Sequence, residues 1–415
     1  MHDTQTGFFR TALSGLAFFF ILAGYYMLRP LRDELGVRGG VEHLDWLFSA
    51  TFMAVALCMA AYAWLSARIS RHSIVSTMFA FVVFSLILFR FIGHEESAVY
   101  ARGLFVWISV INMFLVSGFW SVMSDVYNTQ AATRRFGIIA AGGTAGALAG
   151  PTIAAFVARF AAVENLLVTG AVCVGIAGIL LHFAASGLRT RHAEPLTTEV
   201  WSGFTRLITD PRLRGLATMV VLNAVAVTFI YILQARLVAV EIPEASDRVQ
   251  FFAGIDLAVN GITILIQLGI TAWLLRTIGV LWCVLLLPLF AISGFAVLAA
   301  WPLLIVTMTL TILLRATRFS LSGPAREILF TWLPASDRYR SRTAMDTLVY
   351  RASDVVGAWS ITGLTALGLG TAGIAAVGVP LALCWAYICG FTVKHIRDGA
   401  VEANQSNRGA GYDTV

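Results

Sequence analysis

Charge is what this chain has least of. Asp, Glu, Lys and Arg make up 13% of its 415 residues, against roughly 25% in soluble domains. With 58% hydrophobic residues and a mean hydropathy of +0.81, a soluble globular class is excluded and an integral membrane protein is expected. Lysine is almost missing: Lys394 is the only one among 29 basic residues. The net charge of +6 does not describe a nucleic-acid surface, because the arginines are scattered through short loops between apolar runs, as positive-inside topology requires. The five cysteines (Cys58, Cys173, Cys283, Cys384, Cys389) lie inside apolar runs without CxxC spacing, which excludes a disulfide framework and a cysteine metal site. No histidine is central in a span: His2, His43, His72, His94, His192 and His395 lie in loops or at ends, and His182 near an end. A histidine relay is therefore not expected. No segment fits a Walker A, GxSxG, HExxH or paired-cysteine zinc pattern, and Gly142-Gly143 opens no βα unit and precedes no G-K-[ST]. An enzyme and an ATP-driven pump are both disfavoured, and no cofactor or metal is expected.

What the chain does have is long apolar runs. A bilayer core of ~30 Å needs about 20 apolar residues per helix. Twelve stretches qualify, near 9–29, 44–66, 74–93, 99–124, 137–159, 165–185, 215–235, 250–275, 278–299, 303–326, 343–367 and 371–393. The first is too long for a signal-peptide core, lacks a convincing cleavage site, and is read as a retained span. With the N-terminus inside, the cytoplasmic loops hold Arg68/Arg71, Arg134/Arg135, Arg189/Arg191/Arg206/Arg212/Arg214, Arg276, Arg338/Arg340/Arg342 and Lys394/Arg397. The opposite loops carry Glu95/Glu96, Glu164 and Glu241/Glu244/Asp247. That asymmetry predicts both termini in the cytoplasm. The chain then divides into a six-helix half at 1–185, a cytoplasmic loop at 186–214, a second six-helix half at 215–393, and a tail at 394–415 without fixed structure.

The halves are related. YYMLRPLR (25–32) resembles IYILQARL (230–237), pairing Tyr26 with Tyr231 and Arg29 with Gln234. FWSVMSDVYNTQAATRRFG (119–137) parallels LFTWLPASDRYRSRTAMD (329–346). Six plus six helices with a central cytoplasmic loop is the architecture of the major facilitator superfamily. The predicted fold class is thus an all-α membrane protein of twelve helices in two six-helix pseudo-repeats.

Two arginines carry the functional reading. Arg315 and Arg318 sit near the middle of 303–324, where a guanidinium costs roughly 2.5–3.5 kcal/mol even on the lenient insertion scale. Three residues apart, they share a helix face and are expected to point at a polar cavity that takes an anion. An interhelical ion pair with Asp256 or Asp354 is the competing role. Arg29 and Arg32 either snorkel to the outer interface or capture phosphate at a cavity mouth. Among polar groups in or at the ends of spans (Asn112, Asn223, Gln234, Arg236, Asp256, Asn260, Gln267), Asn223 and Gln234 are candidate substrate contacts. Asp256 is the candidate for proton coupling, as a desolvated carboxylate able to load and release a proton. Asp33, Asp125, Arg134, Arg135, Arg326, Glu327, Asp346, Arg351 and Asp354 form mixed-sign sets expected to act as gating ion pairs, with Asp125/Arg135 and Arg326/Asp346 as the exchanging pairs. Tyr25, Tyr26, Trp120 and Tyr231 either pack at interfaces or stack on a base.

In span five, Gly137, Gly146 and Gly150-Pro151 follow G-x8-G-x3-G-P, which resembles the fifth-helix motif of facilitator-superfamily exporters and exchangers; its closing Gly pair is Ala154-Ala155 here. Gly142, Gly146 and Gly150 recur every four residues, a smooth face for close helix packing. More widely, YYMLRPLRDELG (25–36), FWSVMSDVYNTQAATRRFGIIAAGG (119–143), GPAREILFTWL (323–333) and RYRSRTAMDTLVYRASDVVGAW (338–359) are similar to the bacterial branch of the ATP/ADP translocase family, across both halves. The resemblance implies exchange of nucleoside triphosphate for diphosphate, or nucleotide import with protons, without hydrolysis. The D-T-K-D-type sequence of that family is Pro30-Leu31-Arg32-Asp33 here, and arginine binds phosphate in a different geometry from lysine.

The expectation is a monomeric secondary transporter of a bacterial inner membrane. By alternating access it takes a nucleotide or related organic anion between its halves on Arg29, Arg32, Arg315 and Arg318. Four unneutralised arginines would hold back the empty carrier and enforce exchange. The runner-up is a proton-coupled exporter of a non-nucleotide molecule; a non-transporting scaffold is the third reading.

Overall fold

A computed structural model describes residues 2–66, 68–69, 71–92, 97–127, 129–185, 207, 209–332, 342 and 345–410. The arginine-bearing loop at 186–206 and the stretch 333–341 lie outside the described residues. Among those described, regular structure is entirely helical. The helices are α1 (His2–Arg38), α2 (Leu44–Ser66), α3 (Arg71–Ile92), α4 (Ala98–Val126), α5 (Thr129–Phe160), α6 (Asn165–Ala185), α7 (Pro211–Glu241) and α8 (Ala245–Gly269). There follow a short α9 (Thr271–Thr277), α10 (Gly279–Ala300), α11 (Leu304–Thr317), α12 (Gly323–Thr331), α13 (Tyr350–Ala366) and α14 (Thr371–Ala410). A π-helical turn, Arg318–Ser322, joins α11 to α12, and a second, Met345–Val349, leads into α13.

Helix is the only way a single apolar run satisfies its own backbone in hydrocarbon. Eleven stretches are long and apolar enough to cross a membrane, with α11, its π turn and α12 acting as one. Large side chains such as Phe91, Phe156 and Leu268 stand outward from them, as lipid-facing residues do. This is a multi-pass membrane protein. The expected span at 343–367 is built from a π turn plus the 17-residue α13 and does not reach that threshold by itself.

Helix ends follow local chemistry. Ser97 caps α4 by accepting the Tyr100 N–H. After α13, Gly368 takes φ 86° while its own N–H bonds Thr365 O and the Leu369 N–H bonds Leu364 O, a Schellman closure that favours glycine. The tail differs from expectation: α14 continues to Ala410, since 394–410 contains neither proline nor a glycine in the left-handed region to stop a helix already running.

The chain forms two compact units: Met1–Pro195 with Ala235–Asn260, and Leu196–Gln234 with Gly261–Val415. The first is organised around α1, whose Ile21, Met27, Leu28, Leu31 and Leu35 are all fully buried. A Cβ placed on Gly142 or Gly146 would strike the backbone carbonyls of Gly15 and Phe19 on α1, and one on Gly150 would lie 2.6 Å from Ala23 O. These three glycines let α5 and α1 touch backbone to backbone. Gly137 has open space around it and takes no part in this contact. Pro151 lies within α5 one residue beyond Gly150. In the second unit, Phe295 of α10 packs against Gly378 of α14.

Candidate functional site: buried arginines and what meets them

In the first unit the charges are paired. Arg29, on α1, directs Nη1 to Asp256 Oδ1 of α8 at 3.5 Å, and Asp256 is 1% exposed. Arg29 thus has a buried carboxylate beside it. Arg32 donates from Nε to the neighbouring Asp33 at 3.0 Å and lies over the Phe105 ring. Proximity in sequence decides that pair, because the carboxylate one residue away costs the least chain entropy to hold.

A second cluster lies one turn further along α1. Glu34 is completely buried, accepts Arg248 Nη2 of α8 at 2.9 Å and has Arg38 Nη2 at 3.4 Å. Arg38 also reaches Glu164, next to the start of α6, at 3.3 Å, and Arg248 donates to the Ile242 carbonyl at 3.1 Å. Two guanidinium groups against two carboxylates make the cluster neutral, and breaking such a pair costs far more than the intact pair gains. Sequence reasoning gave none of Glu34, Arg38 or Arg248 a role. The signal was there in part, since an acid and a base four apart inside an apolar helix face each other. Asn260, expected among the polar groups of the spans, donates to Ala147 O of α5 at 2.7 Å.

In the second unit the arginines differ from one another. Asp354 of α13 is held by Thr228 of α7 at 3.2 Å and by Arg351 at 3.5 Å, and it acts on Arg318 from beyond ion-pair distance. Arg326 of α12 meets Asp346 at 3.0 Å, and Arg342 bridges Glu327 at 2.9 Å and Asp346 at 3.8 Å. Arg318 meets a neutral group instead. Its Nη1 donates to the Tyr350 hydroxyl at 2.7 Å and its guanidinium carbon stands 4.7 Å from that ring's centre. Among the described residues, no carboxylate lies within ion-pair distance of it.

Arg315 is half-buried at the end of α11, one turn before Arg318. Gln234 is buried and accepts from Thr311 at 3.3 Å. Asn223 is half-buried on α7, its carbonyl oxygen buried with no hydrogen-bond partner among the described residues. Arg135 lies over the Tyr127 ring, Asp125 is near the end of α4, and the side chain of Arg134 lies outside those described.

The π turns explain how Arg318 and Tyr350 come together. Arg318 is the first residue of one, and Tyr350 directly follows the other. A π turn displaces carbonyls from their usual partners. Here Gln267 Nε2 bonds the Phe319 carbonyl at 3.1 Å and Thr271 Oγ1 bonds the Ser320 carbonyl at 3.0 Å. Side chains of α8 and α9 thus stabilise the irregular turn that carries Arg318. Asp256 and Asp33 lie against Arg29 and Arg32, whereas Arg318 hydrogen-bonds a phenol and, among the described residues, has Asp354 and Asp346 acting on it only from beyond ion-pair distance.

No protein-family profile matches the chain, and no curated protein matches it. Solved structures do. A variant of the nucleoside transporter NupG superposes with a TM-score of 0.67 at 13% identity, covering 92% of this chain and 99% of that one. A bacterial homologue of the iron transporter ferroportin, in an inward-facing state, gives 0.65 at 13%, covering 92% and 97%. The human organic anion transporter MFSD10 gives 0.61 at 14%, covering 92% and 99%. The likeness runs nearly end to end in each case and establishes the fold: this chain folds as these solved structures do.

Proposed function

We propose that this chain is a secondary transporter that works by alternating access and binds an anionic solute at Arg318, most specifically by exchanging nucleotides or related organic phosphates. One observation carries the reading: a guanidinium in a membrane span whose hydrogen-bond partner is a neutral phenol, with no described carboxylate within ion-pair distance. A charge left in that position is costly, and a site that keeps it has a use for it. Phosphate suits a planar guanidinium, which offers paired N–H donors. Arg315, Asn223 and Gln234 supply further polar groups in the second unit. The resemblance of 25–36, 119–143, 323–333 and 338–359 to ATP/ADP translocases supplies the nucleotide.

The same proposal takes Met345–Ala366 as a twelfth span; its 22 residues would measure about 33 Å as α-helix. It takes the halves as 1–185 and 215–393, both termini as cytoplasmic, the protein as a monomer, and the bacterial inner membrane as its place. Gly142, Gly146 and Gly150 serve helix packing, and Arg326, Glu327, Asp346, Arg351 and Asp354 serve as ion pairs that change partners during the cycle. Uptake of labelled ATP, ADP, inorganic phosphate and nucleosides by proteoliposomes tests the assignment. Nucleotide uptake abolished by Arg318→Ala and partly kept by Arg318→Lys is expected. Equal uptake by the alanine variant would remove Arg318 from the site.

A second reading has its own observation. Asp256 is a buried carboxylate inside a span, bound to Arg29, an arrangement that a proton-coupled exporter can use by protonating the acid and releasing the arginine. Transport driven by a pH jump, lost in Asp256→Asn and kept in Arg318→Ala, would select it.

A further inference from the structure

His72, second residue of α3, and His182, near the end of α6, are 110 residues apart in sequence and face each other in the first unit. His72 Nε2 lies 3.2 Å from His182 Nδ1, with ring centres 5.2 Å apart and planes tilted by 34°. We infer that this pair is a two-histidine site for a borderline-soft divalent transition ion such as Zn2+, Ni2+ or Cu2+.

Two imidazole nitrogens bound to one tetrahedral zinc at 2.0–2.1 Å stand about 3.3 Å apart. The observed gap therefore needs almost no movement of either helix to admit an ion. His72 is half-buried and His182 exposed, so an ion reaches the gap from solvent and water completes its coordination. Imidazole is a ligand these ions share and magnesium or calcium avoid. Without metal the two nitrogens share one proton, one ring donating and the other accepting. To bind, both must offer lone pairs: His72 then carries its proton on Nδ1 and His182 on Nε2, a tautomer shift that leaves both rings neutral. Each ligand is fixed on a separate packed helix, so an ion joins α3 to α6.

The absence of metal spacing in the sequence is no obstacle. The ligands come from different helices, and a short-range motif does not register them. The inference is independent of the transported solute.

The test uses the full chain, carrying no added histidines, in detergent. Zinc and nickel titrations are followed by calorimetry and thermal unfolding, and Cu2+ by electron paramagnetic resonance. One ion per chain is expected, with the unfolding midpoint raised and copper coupled to two nitrogens. Affinity should fall at least roughly tenfold in each of His72→Gln and His182→Gln; glutamine keeps a hydrogen bond across the gap, so a folded variant separates ligand loss from helix disruption. Binding that persists unchanged in both variants would overturn the site, as would the absence of saturable binding to the native chain. The unchanged affinity expected of a His43→Gln variant checks that a histidine outside the pair is not the source.

Discussion

A guanidinium inside a membrane span has to meet something, and in this protein the partner sorts the arginines by role. Arg29 meets a carboxylate on α8, Arg248 one on α1, and Arg351 one on its own helix; Arg318 meets the Tyr350 hydroxyl and ring. A phenol orients the cation without cancelling it, which leaves charge available to a ligand. On the proposed function Tyr350 positions Arg318. Tyr350→Phe keeps the ring and loses the acceptor, so we expect KM for the transported anion to rise about threefold to tenfold, the net worth of an ordinary hydrogen bond, with kcat little changed. Tyr350→Ala should raise it further. Transport kinetics in proteoliposomes check both, and an unaltered KM in the alanine variant would contradict the role. Much of this was legible from residues alone: Arg315 and Arg318 stand out because charge in an apolar run is costly, and Arg326/Asp346 because opposite charges flank a loop. Tyr350 was not legible, since a tyrosine beside RASD reads as an interface aromatic until a π turn places it against Arg318.

At the scale of elements, two devices do the shaping. One is the glycine face of α5. Gly146→Ala would place a methyl against the Phe19 carbonyl, a backbone atom that cannot rotate away, so a loss on the order of 1–3 kcal/mol is expected from forced overpacking. Gly137→Ala meets open space and should leave the protein unaffected, although both positions belong to the same sequence motif. Thermal unfolding in detergent compares them; equal effects would mean that α1 and α5 do not approach as described. The second device is the π turn at Arg318–Ser322. Gln267→Ala removes the donor to the Phe319 carbonyl, and leaving a polar group unsatisfied costs ~1–3 kcal/mol. Because the same turn carries Arg318, anion KM should worsen in step with stability. A stability loss with KM unmoved would separate the turn from the site. The small-residue periodicity announced the first device. The second was hidden because π turns arise from how neighbouring helices absorb one extra residue, which no local pattern in 318–322 reveals.

For the whole molecule, sequence periodicity gave the helices and their order, because twenty apolar residues in a row have few alternatives in lipid. It gave partners poorly: the Arg29 pairing of Asp256 was not anticipated, and the Glu34, Arg38, Glu164 and Arg248 cluster went unassigned, because pairing between distant helices is set by packing rather than spacing. That cluster carries a prediction at this scale. Glu34 is buried between Arg38 and Arg248, so Glu34→Gln leaves two buried cations short of an anion. A cost of about 3–5 kcal/mol is expected, read as a lower unfolding midpoint and reduced yield. The double change Glu34→Gln with Arg248→Gln should recover part of it.

On the proposed function an anion neutralises Arg318, and the carrier turns over readily only when it is loaded; uptake of labelled ADP into proteoliposomes preloaded with ATP or left empty decides this. Uptake confined to preloaded vesicles and absent in Arg318→Ala is the predicted result. Equal uptake into empty vesicles, or no nucleotide uptake by folded protein, would contradict the account.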